Sequence, residues 1–444
     1  MLLDMWMPLT MVLLLFIGIL SGYPVALVLG GISAIFLLLS DLPLAFANLM
    51  LTRVYANALN NWLYIAIPMF ILMGLLLERT GLAREAFRVS ERMLQRLPGH
   101  LALTVLFIGG LMAATTGVVG ASVVLLTVLA LPRMLDAGYS APSASGLISA
   151  SGTLAILMPP SVMLIILSSL VGVPVGHLFR AALVPSALLL LLYMLYSLGL
   201  AWWGADRNAI PADESDAVSS EPQGLWRNAL ALFPFLILIP AVLGTIVFGV
   251  ATPTEASGVG VLAVLLFAGV MGKIDGSAVM TAAREAVIST AMIMMLVMTA
   301  TCFSLIFKGV GGDGLIRSSL ELLGGGSWSV LFLILLLVFL LGFFLDWLEI
   351  SLILMPIFVP IVTQLDLANG LNGVSLLVWF AIVFAINLQT SFLTPPFGVS
   401  LFYLKGAVGE RVSTLDIYRG VMPFIAIQLF VLLMILIFPG ILML

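Results

Sequence analysis

Charge is scarce in this chain: 9% of its 444 residues are Asp, Glu, Lys or Arg, against 62% hydrophobic residues. A soluble globular chain carries about 25% charged residues, so the deficit excludes a water-soluble domain and points to a polytopic membrane protein. The single cysteine, Cys302, excludes an intramolecular disulfide and any cysteine-based zinc cluster. His100 and His177 lie at the ends of apolar segments and far apart in sequence, which speaks against a metal site. No Walker A sequence, Gly-rich dinucleotide fingerprint, HExxH or GxSxG motif occurs, so the chain shows no means of using ATP itself. Nucleic acid is not an expected partner. The opening MLLDMWMPLT lacks a basic n-region and a clear small-residue cleavage site, so the first span is expected to insert and stay.

What is present is one motif carried twice. Residues 151–162 read SGTLAILMPPSV and residues 387–399 read NLQTSFLTPPFGV. Each sets a Ser/Thr cluster and a Pro-Pro pair inside a segment apolar enough to cross a bilayer. Proline has no amide hydrogen and clashes with the preceding turn, so a helix breaks there. Irregular backbone at membrane depth is tolerated only where it is buried in protein or lines a water-filled cavity. Two interrupted spans in corresponding halves point to the binding site of a secondary transporter, and no enzyme constellation accompanies them.

Apolar stretches long enough to span lie near 6–20, 24–40, 62–79, 143–171, 178–203, 226–249, 253–272, 282–307, 374–408 and 419–443. Two further stretches, 101–135 and 328–364, are too long for one span and break at TTGVVGAS (115–122) and LDWLEIS (345–351). Each reads as a re-entrant hairpin, with a pair of ordinary spans as the alternative. Arg79, Arg84, Arg88, Arg92 and Arg96 mark the loop after the third span as cytoplasmic. Threading from there leaves only Arg53, Arg180, Lys308 and Arg317 outside, provided both broken stretches return to their own side. Both termini then fall on the periplasmic face.

The same threading exposes symmetry. PVALVLGGISA (24–34) resembles PTEASGVGVLA (253–263), and the two segments run in opposite directions. The expected fold is all-α and polytopic, with two inverted repeats, each holding a hairpin and a broken span. The first repeat is 1–171, the connecting span and polar loop 172–225, the second repeat 226–408, and the last span 409–444. The loop 204–225 reads as flexible, and Trp202 with Trp203 as an interfacial belt. Such symmetry suits alternating access around a site at mid-membrane.

The hairpin tips and broken spans hold the candidate site. In the first half Gly117, Gly120 and Ser122 at the tip face Ser151, Gly152, Thr153 and the carbonyls before Pro159. In the second, Asp346 and Glu349 face Asn387, Gln389, Thr390, Ser391, Thr394 and Pro396. Unwound carbonyls and half-helix ends coordinate Na⁺ in this architecture, and half-helix N-termini favour an anion. One sodium site in each half with an organic anion between them is the economical assembly; small residues serving only helix packing is the bland one. Asp346 and Glu349 could ligate a cation, carry a proton or cap a helix. Glu255 in ATPTEAS is expected to stabilise a helix N-terminus, with a role in transport as the alternative. Lys308 reads either as a partner for a substrate carboxylate or as an exposed loop lysine.

IPMFILMGLLLERTGLA, AATTGVVGAS, DAGYSAPSASGLISASGTLAILMPPS, ATPTEAS, GFFLDWLEIS and NLQTSFLTPPFGVSLFYLKG together resemble the large membrane subunit of TRAP (tripartite ATP-independent periplasmic) transporters, across about residues 8–440. The resemblance implies an elevator-type carrier in the bacterial inner membrane, Na⁺ as coupling ion and no cofactor. It also implies a small four-helix membrane subunit, a periplasmic substrate-binding protein and a small organic acid as cargo. One sodium site would then use Gly120, Ser122, Ser151, Gly152, Thr153 and Pro159, and the other Asp346, Thr390, Thr394 and Pro396. The chain departs from the commoner family pattern in its GAS tip and in NLQTSFLTPP, which lacks the usual glycine. A stand-alone ion-coupled anion carrier or antiporter of related architecture is the competing expectation. An intramembrane enzyme is a third, but Asp346 and Glu349 alone supply no nucleophile or metal cage.

Overall fold

A computed structural model describes residues 6–43, 45–117, 119–203, 225–322, 326–367 and 370–443. Among these residues there is no strand. The first half comprises α1 (Trp6–Leu20), α2 (Val25–Leu39), α3 (Ala45–Val54), α4 (Ala66–Arg79), α5 (Leu82–Leu94), α6 (His100–Thr116), α7 (Val119–Asp136), α8 (Ala141–Thr153), α9 (Val162–Val171) and α10 (Val175–Trp203). The second comprises α11 (Leu225–Val247), α12 (Pro253–Val270), α13 (Gly276–Gly309), α14 (Gly312–Leu322), α15 (Ser327–Leu341), α16 (Trp347–Val362), α17 (Gly373–Leu393), α18 (Val399–Val408) and α19 (Thr414–Ile437). Seven of the described helices are long and apolar enough to cross a membrane.

The two halves use their elements alike. α2 packs on α13 as α12 packs on α4, and α4 and α13 pack on each other between them. At about 1.5 Å per residue, the 34 residues of α13 exceed the bilayer core, so this helix projects beyond it. Ion pairs fix one end of the molecule: Arg79 at the end of α4 with Glu285 near the start of α13, and Lys273 with Glu85 of α5. Arg133, near the end of α7, joins Glu91 of α5 at the same end. Because α6 begins just after α5, α7 returns to the end from which α6 set out. That return makes α6–α7 a hairpin. At the opposite end Lys308, in the last turn of α13, and Pro356 of α16 line one cavity, so α16 likewise runs back toward the end where α13 finishes. The hairpins therefore enter from opposite ends.

Three stretches differ from the sequence reading. The arginine-rich segment after α4, expected as a loop, is helix α5. It buries Leu82, Ala86, Phe87 and Val89 while Arg84 and Arg88 are exposed, a helical period that the density of charge disguised. Between α2 and α4, where no element was expected, lie α3 and a π-helical turn, Tyr55–Leu59. α7, at 18 residues, is longer than a half-span needs. The loop 204–225 lies outside the described residues except for Leu225. Trp202 is exposed, as a residue of an interfacial belt would be.

Candidate functional site

The first hairpin turns at Gly117, which takes φ +60° and accepts the left-handed conformation that ends α6. A side chain there would come within 3.1 Å of the Val162 amide, so the tip lies against the start of α9. On the facing wall Gly152 sits so close to Val123 of α7 that a Cβ would collide with it. Ser151 turns to the hairpin's first leg, its hydroxyl donating to the Val105 carbonyl of α6 at 3.2 Å. Ser122 is buried on α7. Gly117, Ser151 and Gly152 thus hold hairpin and broken span together. Thr153 points elsewhere: its hydroxyl donates to Ala150 O and accepts from Gln428 Nε2 of α19, which also donates to the Tyr193 hydroxyl of α10 at 2.8 Å.

Between α8 and α9 the chain makes a short 3-10 turn, Leu154–Ile156, and a cis bond joins Pro159 to Pro160. Neither proline can supply the amide hydrogen that would bond Ala155 O or Ile156 O, four residues back. The Ser161 hydroxyl donates to both, at 3.1 and 2.9 Å, and also accepts from Met163 N as the N-cap of α9.

The second half repeats this solution with other residues. A cis bond joins Pro395 to Pro396. The orphaned Ser391 carbonyl accepts from Thr394 N at 3.0 Å, and that of Phe392 from the Ser400 hydroxyl at 2.7 Å. Eight residues before the first proline of its pair, Asn387 donates to Leu335 O of α15 at 2.8 Å, as Ser151 does to α6 in the first half. Ser391 donates to Phe339 O one turn on, and the Phe344 ring of the tip lies 5.4 Å from that of Phe397 at the break. Tip and break meet in this half too. Thr390 and Thr394 donate to carbonyls of their own helix, Ile386 O and Thr390 O. Gln389 is fully buried with neither amide atom bonded. Pro396 O accepts from the Tyr418 hydroxyl of α19 at 2.9 Å.

Asp346 and Glu349 form a capping box on α16: the Asp346 carboxylate accepts from Trp347 N at 2.9 Å, and Glu349 Oε2 accepts from Asp346 N at 3.3 Å. Of the three roles open to Asp346, capping is the one with geometry behind it. Glu255 does the same for α12 with Thr252, as expected. The hairpin of the first half also meets the second broken span, where Gly120 lies under the Tyr403 ring of α18, which a Cβ would approach to 2.7 Å. Among the described residues no cluster of His, Cys, Asp and Glu could hold a metal ion. The donors at the breaks are hydroxyl, amide and carbonyl oxygens, a set suited to a hard monovalent cation.

Sequence reasoning missed Ser161, Ser400, Gln428 and Tyr193. The first two could have been found by asking what replaces the hydrogens a Pro-Pro pair removes. The last two carry no local signal, being brought to Thr153 by tertiary packing.

The family model for the tripartite ATP-independent periplasmic transporter, DctM component, matches residues 10–441. The isethionate TRAP transporter permease DctMQ of Oleidesulfovibrio alaskensis is 28% identical over 93% of the chain, and the chain spans 62% of that protein's length. The ectoine/5-hydroxyectoine large permease UehC of Ruegeria pomeroyi is 30% identical, over 98% of this chain and 96% of its own. The crystal structure of the Alcanivorax borkumensis YdaH transporter shares the fold, with a TM-score of 0.61, 17% identity and coverage of 93% and 95% of the two chains. These relatives are transporters rather than enzymes. With hairpins, breaks and a family match running nearly end to end, the chain belongs to the DctM component of the tripartite ATP-independent periplasmic transporters.

Proposed function

We propose that this chain is the permease of a sodium-coupled uptake system for a small organic acid in the bacterial inner membrane, both termini periplasmic. It works with a small four-helix membrane subunit and a periplasmic substrate-binding protein. The repeats are 1–171 and 226–408, joined by 172–225 and closed by 409–444, and hairpins and broken spans move together as an elevator. Sodium is held at each tip-to-break contact: by oxygens near Gly117, Gly120, Ser122 and Ser151 in one half, and near Asn387, Thr390 and Thr394 in the other. The single observation that carries this reading is the pairing of hairpin with broken span in both halves, made with equivalent bonds from Ser151 and Asn387 to the hairpin's first leg. An acid as cargo is supported by isethionate, an organic sulfonate, in the name of one relative.

The test is uptake into proteoliposomes holding this chain with its small subunit. Isethionate, ectoine and C4-dicarboxylates are offered with and without binding protein, and with and without an inward sodium gradient. Uptake that needs both is the expected result; uptake indifferent to sodium would remove the coupling. Transport without binding protein would instead make a carrier that works alone the leading reading.

A further inference from the structure

We infer that a cavity of about 340 Å³ at the outer end of α13 is a reception site for the anionic group of the cargo, with Arg53 and Lys308 as its charge partners. The inference rests on the proposed uptake of an organic acid and adds the place where that acid first meets the membrane subunit.

The cavity lies between two sets of elements. One wall comes from α3, the turn after it and the last turns of α13; the other comes from the end of α9 and from α16, the return leg of the second hairpin. Arg53 and Lys308 are both exposed, and no Asp or Glu stands among the lining residues. No ion pair among the described residues engages either cation. Asn57, Thr301 and Ser304 add neutral hydrogen-bonding groups, while Val297, Leu352 and Pro356 give an apolar side. The wall is pinned where Asn61 Nδ2 donates to Ser169 Oγ of α9 at 2.7 Å. Two cations on a partly apolar concavity focus a positive field and concentrate small anions.

Both residues sit in the last turn of a helix, where a cation also favours the dipole. That explanation serves each residue singly. It does not account for their meeting at one cavity from which carboxylates are missing. Nor does it account for their side of the membrane: the threading of the chain leaves only four cations outside, and two of the four converge here. The residues fit a compact carboxylate or sulfonate with a small apolar body, its charge at Arg53 and Lys308 and its body toward Leu352 and Pro356. Because α16 belongs to the second hairpin, an occupant would touch the moving and the static parts at once.

The test uses the full chain in lipid nanodiscs, with Cys302→Ser as background and Ser304→Cys as reporter. Modification by the sulfonatoethyl methanethiosulfonate reagent is compared with that by its trimethylammonium counterpart. The anionic reagent is expected to react faster, and the rate ratio to fall about tenfold when Arg53→Gln and Lys308→Gln are combined. Arg53→Lys, which keeps the charge, retains the ratio and controls for folding. Succinate or isethionate at millimolar concentration is expected to slow the anionic reagent saturably. A ratio indifferent to the two cations overturns the inference. So does a cation-dependent ratio that neither acid protects, since the cavity then attracts anions without binding them. The assay needs neither binding protein nor sodium gradient, so its failure and a failure of the uptake reading are separate results.

Discussion

At the residue scale, the two breaks turn on single hydroxyls. Ser161 satisfies both carbonyls that Pro159 and Pro160 leave behind, in a site with no exposure to water. Ser161→Ala is therefore expected to destabilise the protein by about 1–3 kcal/mol, the usual penalty for a buried polar group left unpaired. Thermal unfolding in detergent measures it; a melting temperature equal to the parent's would show that water replaces the hydroxyl. Much at this scale was legible. The Pro-Pro pairs, the Ser/Thr clusters beside them and the place of Glu255 at a helix start were all readable from spacing. What was not legible is direction: nothing in SGTLAILMPPSV says that Ser151 faces α6 while Thr153 faces α19. A residue beside a break has a helical phase only after the neighbours are known.

At the scale of elements, α8 and α19 approach most closely through Gly146 and Gly420. A Cβ on either would collide with the other helix's backbone. Gly146→Val is expected to lower stability by about 1–3 kcal/mol through overpacking, or to prevent purification of a monodisperse protein. Gly176→Ala, where the nearest atom to an added Cβ is 3.3 Å away, is the milder comparison in the same melt. The ion pairs that bind α5 to its neighbours are a different matter. The Arg133 and Glu91 side chains keep 42% and 26% of their surface exposed. A double-mutant cycle on this pair is expected to give no more than about 1 kcal/mol, shrinking with salt. A larger coupling that survived high salt would contradict that assignment. The sequence hid α5 because its arginines satisfied the topology rule so well that their spacing of four went unexamined.

At the scale of the whole molecule, the threading by charge and the packing agree on where the hairpins begin and end. Single cysteines in a Cys302→Ser background check it: Leu97→Cys and Asp136→Cys should react with an impermeant reagent from one face of the membrane. Asp313→Cys and Gln364→Cys should react only from the other. If Leu97 and Asp136 labelled from opposite faces, α6 and α7 would together make a single crossing and the symmetry would fall. Composition established the class of protein, and the repeated motif its two-fold plan. The cavity at Arg53 and Lys308 was beyond reach of either, because its walls come from segments some 250 positions apart in the chain.

α17 is the most enclosed of the spanning helices, with 94% of its most apolar stretch buried in the protein. Hydrocarbon offers no partner to Asn387 or Ser391 when that helix first leaves the insertion machinery. Their acceptors, Leu335 O and Phe339 O, belong to α15, which is synthesised earlier. The first half has the same order, with Val105 of α6 made before Ser151 of α8. In each half the hairpin is synthesised before the broken helix. The order of translation thus supplies the acceptors before the donors that need them, and a gene that encoded the broken span ahead of its hairpin would lose that order.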